Sequence, residues 1–157
     1  MLHVKKWFLL PLLLTLAVPT IAAADDMEKY VEMMRSDLRS GKTALLTEAM
    51  KLSDAEGQKF WPIQREYETE LAKLGDQRLQ LIKDYAAHYD SLTPGMAKQL
   101  TDRAFKLESS RLSLLKKYTD KASKAVSPMV AARFAQIEAT VNALVDLQIR
   151  ANTPLVP

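Results

Sequence analysis

Residues 53–90 read SDAEGQKFWPIQREYETELAKLGDQRLQLIKDYAAHYD, and the spacing of the apolar side chains in this stretch decides the fold. Phe60, Ile63 and Tyr67, then Leu71, Leu74 and Arg78, then Ile82, Tyr85 and Tyr89 recur every eleven residues. That period keeps one stripe aligned along a nearly straight helix, or one with slight right-handed supercoil. The stretch is therefore expected to form one long amphipathic helix over about residues 54–91. Ser53 and Glu56 have the spacing of a capping box, in which each side chain satisfies an amide that the first turn leaves orphaned. Pro62 lies too deep to be a first-turn proline, so a kink or broken turn is expected near Phe60-Trp61.

Two downstream starts repeat the pattern of an apolar residue, a hydroxyl residue and a proline: Leu92-Thr93-Pro94 and Val126-Ser127-Pro128. The hydroxyl accepts from a first-turn amide, and proline at the next position sacrifices no intrahelical bond. Helices are expected over about 94–125 and 128–151. In the first of these, Ala97, Ala104, Arg111, Tyr118 and Ala125 form one heptad row and Leu100, Leu107 and Leu114 another, a packing seam in which Arg111 is the intruder. In the second, Val130, Phe134, Ile137, Val141, Leu144 and Val145 share a face. Aligning Ser53 with Ser127 superposes Phe60 on Phe134 and Ile63 on Ile137, which duplication and a shared capping pattern explain equally well.

Upstream, Met27, Tyr30, Val31, Met34 and Leu38 predict a helix over about 26–39 that Ser40-Gly41 stops, then a short piece over 44–50 capped by Thr43. No segment has the alternation of a strand. The expected class is all-α, with long amphipathic helices in a hairpin or cradle. A lone pair of such helices leaves much of each stripe wet, so completion as a homodimer is expected.

Met1 to Ala24 reads as an export signal, with Lys5 and Lys6, an apolar run over 7–21 and the small residues Ala22-Ala23-Ala24 before Asp25. The run is short for a span and holds Pro11 and Pro19, so cleavage rather than anchoring is expected, with no membrane span left afterwards. One domain is expected over 25–157, placed in the periplasm. Removal of two lysines leaves 20 basic against 19 acidic residues, which weakens any case for nucleic acid as a partner. With no cysteine, the fold stands on packing rather than on disulfides.

Catalytic and metal signatures are missing from the sequence. His88 is the single histidine after the signal, so neither a Ser-His-Asp nor an HExxH arrangement can be assembled, and no enzymatic role, cofactor or metal is expected. Glu66, Glu68 and Glu70 alternate around their helix and read as solvated surface. His88 shares a face with Asp84, as a surface pair. Charge is segregated: 94–125 is basic and 54–90 acidic. Arg111, Lys116, Lys117, Lys121 and Lys124 are therefore candidates for a surface that binds clients or partners, and an attraction between two antiparallel helices explains the same residues.

Leu52-Ser53-Asp54-Ala55-Glu56 followed by Gln58, and Leu92-Thr93-Pro94 followed by Gln99, resemble the helix starts of the periplasmic LTxxQ-motif proteins, the group that contains the Spy and CpxP stress proteins. In both stretches the glutamine stands at a different spacing from the family's. Phe60-Trp61-Pro62, Gln136-Ile137-Glu138 and Pro154-Leu155-Val156 also resemble a set of uncharacterised secreted proteobacterial helical proteins. The first resemblance implies long bent helices in a cradle-shaped homodimer that binds unfolded clients without ATP, or that damps an envelope sensor. The expected function is a periplasmic ATP-independent chaperone or envelope-stress adaptor. The alternative is an accessory protein specific to one envelope sensor or membrane assembly.

Overall fold

The computed structural model describes residues 40–157. The expected export signal and the helix expected over 26–39 lie outside the described residues. Residues 40–50 are helical throughout and form α1. Ser40-Gly41 therefore does not stop a helix, and no new one starts at 44. Thr43 is an interior residue whose carbonyl accepts from Thr47 Oγ1 at 2.8 Å. A glycine inside a helix costs only about 1 kcal/mol. Burial of Leu46 and Met50, four apart on one face of α1, outweighs that cost. Lys51 ends α1 in the left-handed region, at φ 47°.

Helix α2, Asp54–His88, opens on the expected capping box: Ser53 N–H donates to Glu56 Oε2 at 2.9 Å, and Ser53 Oγ accepts from Glu56 N–H at 3.4 Å. The helix runs through Pro62 with no broken turn. Pro62 is on the exposed face together with Gln58, whose carbonyl loses its partner where water can replace it. The α-helix also ends earlier than expected, with 89–91 tightening into a 3-10 turn. Helices α3, Pro94–Ala125, and α4, Pro128–Ala151, begin at the expected caps, where Thr93 accepts from Met96 N–H and Ser127 from Val130 N–H. The chain is all-α, and the described residues contain no strand.

Helices α2 and α3 form an antiparallel hairpin. The pairs Asp84–Arg103, Glu70–Lys117 and Glu66–Lys121 are each symmetric about the Thr93-Pro94 link, so one register runs the length of the contact. Helix α4 folds back along α3 and meets α2 only through side chains, including Phe134 against Phe60 and Asp146 against the long Arg78. The core lies at one end, where Leu46 and Met50 of α1 meet Phe60, Ile63 and Tyr67 of α2, Leu114, Tyr118 and Ala122 of α3, and Val130, Ala131 and Phe134 of α4. Edge-to-face contacts link Phe60 to Phe134 at 5.5 Å, Phe134 to Tyr67 at 5.3 Å and Tyr67 to Tyr118 at 5.6 Å. Burying each such ring contributes roughly 1.5–3 kcal/mol. No described helix is long and apolar enough to cross a membrane.

The left-handed turn at Lys51 yields a direct stability test. A side chain in that conformation costs roughly 1–2 kcal/mol, which glycine avoids at the expense of a more flexible unfolded chain. Lys51→Gly is expected to raise the urea-unfolding free energy by about 0.5–1 kcal/mol, with helicity unchanged by circular dichroism.

Candidate functional site

The basic residues expected on α3 are mostly committed to other helices or to their own. Arg111 makes a bidentate pair with Asp146 of α4, at 2.9 Å from Nη1 and 2.6 Å from Nη2, and Nη2 also meets Glu108 at 2.6 Å. Arg78 of α2 donates to the same Asp146 at 2.7 Å. One carboxylate thus holds guanidiniums from two helices. Burial would raise the Asp146 carboxyl, but Arg111 and Arg78 hold it below the usual aspartate value. The residue read as an intruder in the α3 seam is one arm of a crosslink, centred on Asp146, that joins three helices.

Lys117 lies 2.9 Å and 3.0 Å from the two oxygens of Glu70, and Lys121 pairs with Glu66. Tyr118 Oη donates to Glu70 Oε1 at 2.9 Å. Hydrogen bonds from Lys117 and Tyr118 hold the Glu70 carboxyl below its ordinary value. Lys116 pairs along its own helix with Asp120, and Lys124 makes no ion pair among the described residues. Glu66 and Glu70 are thus interhelical partners rather than merely solvated surface. Beside them an open groove of about 530 Å³ runs between α2 and α3, walled by Glu70, Lys73, Gln77, Ser110, Ser113 and Lys117 over Leu74 and Leu114.

A second charged cluster, not expected from the sequence, lies inside the core. Glu138 of α4 is fully buried, and Lys42 of α1 is nearly so. Lys42 Nζ stands 2.7 Å from Glu138 Oε2 and 2.5 Å from Glu68 Oε1 of α2, and 5.2 Å from the centre of the Tyr67 ring. One ammonium is shared by two carboxyl groups, so it can neutralise only one of them. Among the described residues neither Glu138 oxygen has an aligned hydrogen bond, because the Lys42 contact is close without being well directed, and Tyr67 Oη has none either. Burial pushes the Glu138 carboxyl up, repulsion from Glu68 adds to this, and the attraction of Lys42 only partly offsets it. Burial and the Glu138 charge together push the Tyr67 phenol far above its usual range.

The periodicity of α4 concealed this cluster, since Glu138 sits beside Ile137 on the apolar face and a count of apolar residues passes over it. The only available signal was a carboxylate one helical turn from Phe134 and from Val141-Asn142. Leu144, expected on the buried face, is instead exposed. His88 Nδ1–H donates to the Asp84 carbonyl, 2.8 Å away, while the Asp84 carboxylate pairs with Arg103. No group of histidine and acidic side chains among the described residues could hold a metal ion. No family model, curated protein or solved structure matches the chain.

Two expectations follow from these clusters. A carboxyl whose folded pKa is raised favours the fold where it is protonated. The Glu138 contribution is thus fully present below the ordinary carboxylate value and is lost as pH rises through the raised one. Glu70 and Asp146, held low, contribute in the opposite sense, with stability lost as pH falls through their depressed values. In urea titrations from about pH 4 to about pH 8, the stability of Glu138→Gln relative to the natural chain should increase with pH. A constant difference would rule this out. Reversing Lys117 and Lys121 to Glu places them against Glu70 and Glu66, and is expected to lower the melting temperature by several degrees in low salt and by less in high salt.

Proposed function

We propose that the chain is an exported, ATP-independent chaperone or stress adaptor that holds unfolded or partner polypeptides on the outer faces of α3 and α4. The observation that supports this is the exposure of large apolar side chains in pairs at helical spacing. Phe105 and Leu112, seven residues apart on α3, are 71% and 70% exposed, and Leu144 and Leu147, three apart on α4, are 62% and 66% exposed. Single exposed apolar residues are ordinary, whereas pairs repeating along one helix face offer an extended segment more than one contact. Neighbouring polar and charged side chains keep such a surface wet and its binding weak. The pairing of Lys117 and Lys121 with α2 moves the proposed contact away from the basic face. Self-association as a homodimer belongs to the same proposal, since the α2 stripe away from the aromatic core is only half buried and a second copy would cover it while leaving Phe105 and Leu112 open.

Protein lacking residues 1–24 is expected to suppress aggregation of a chemically denatured globular client at near-stoichiometric amounts. Phe105→Ser with Leu112→Ser should weaken that suppression several-fold while circular dichroism and melting stay unchanged, because both side chains are already in water. No suppression with several clients at low salt would refute the chaperone reading. Crosslinking in cells that captured one dominant partner would replace it with the specific accessory role.

A further inference from the structure

Past the end of α4 the chain does not drift away. Asn152 Nδ2 and Thr153 Oγ1 donate to the Gln148 and Ile149 carbonyls at 2.7 Å and 2.8 Å, which ties down the last turn. The tail then crosses to the end of α2, where Tyr85 Oη donates to the Pro154 carbonyl at 3.0 Å and Tyr89 Oη to the Leu155 carbonyl at 3.1 Å. The two rings stand edge to face, 5.6 Å apart. Both bonds go to main-chain oxygens, and the tail side chains are left out, with Leu155 88% exposed. The residues held are Pro154-Leu155-Val156-Pro157, a P-x-x-P sequence. That spacing puts both prolines on one face of a polyproline II helix, whose carbonyls are free because it has no internal hydrogen bonds. Aromatic side chains whose polar groups meet such carbonyls are a recurrent means of binding proline-rich segments.

We infer that Tyr85 and Tyr89 form a binding cradle for extended P-x-x-P segments of polypeptides, with the chain's own C-terminal tail as its resident occupant. Recognition runs through main-chain carbonyls, so it tolerates different residues between the prolines. Loss of water and the neighbouring Tyr89 push the Tyr85 phenol up, which keeps it a protonated donor. A segment from outside competes with a tethered one whose effective concentration is about millimolar, so the site is closed to weak or dilute ligands.

The test uses the intact, isotopically labelled chain and the unlabelled peptide acetyl-Asn-Thr-Pro-Leu-Val-Pro. Its addition should move the Leu155 and Val156 amide signals saturably towards free-chain positions, with half-saturation at about millimolar peptide. The same peptide with both prolines replaced by alanine should bind several-fold more weakly. In Tyr85→Phe with Tyr89→Phe the tail signals should already be free and the peptide response lost. Tyr89→Phe alone, at the edge of the hairpin, gives the same readout should the double variant not fold. Tail signals unmoved by peptide at about ten times that concentration, or unchanged in the variants, would overturn the cradle. A release of the cis tail that grows with protein concentration and without peptide would assign the site to a second copy's tail and overturn the resident arrangement.

Discussion

The rings of Phe60, Tyr67, Tyr118 and Phe134 meet at one end of the bundle, and the remaining structure depends on that meeting. Helices as long as α2 and α3 can stay parallel to a neighbour only where side chains fill the space between them. Large fully buried side chains do so at the end carrying α1 and the α3–α4 turn. Towards the other end the α2 stripe of Leu71, Leu74, Ile82 and Tyr85 is only half buried, and alignment passes to ion pairs. The Asp146 node holds α2, α3 and α4 at one height, and the Asp84–Arg103 pair extends the register towards the hairpin turn. Each exposed pair is weak, whereas the half-buried bidentate Arg111–Asp146 contact adds directional strength.

Lys42 and Glu138 change what that core can tolerate. A buried charge is costly unless paired and hydrogen-bonded, and here one cation serves two carboxylates with imperfect geometry. The cluster joins α1, α2 and α4, so the apolar contacts of Leu46 and Met50 and the ionic contact of Lys42 act on the same short helix. Apolar packing supplies most of the attraction, while the charges restrict which side of α1 can face inward.

The helical skeleton was legible because its signals are local. Ser53, Thr93 and Ser127 cap as read, and Phe60, Ile63 and Tyr67 lie on the buried stripe that their spacing implies. The errors came where packing overrides local preference. Gly41 stays helical because α1 is docked by Leu46 and Met50, and Pro62 is tolerated because its missing bond faces water. The site residues were less legible. Lys117 and Lys121 were visible as a basic patch, but their partners Glu66 and Glu70 lie far along the chain, and only the hairpin register joins them. Glu138 and Lys42 are single polar residues in different helices, and no periodicity connects them.

The crowding of buried rings and exposed ion pairs at one end of the bundle means that its two ends respond unequally to temperature and salt. Apolar burial weakens on cooling, whereas charged groups lose less by leaving water as temperature rises. Added salt screens exposed pairs and leaves buried rings nearly untouched. Cold should therefore loosen the aromatic end first, and brine should weaken the exposed Glu66–Lys121 and Glu70–Lys117 pairs beside those rings more than the half-buried arginine node. A probe beside Tyr118 should then respond to cooling and to salt alike, and one beside Asp146 less to either.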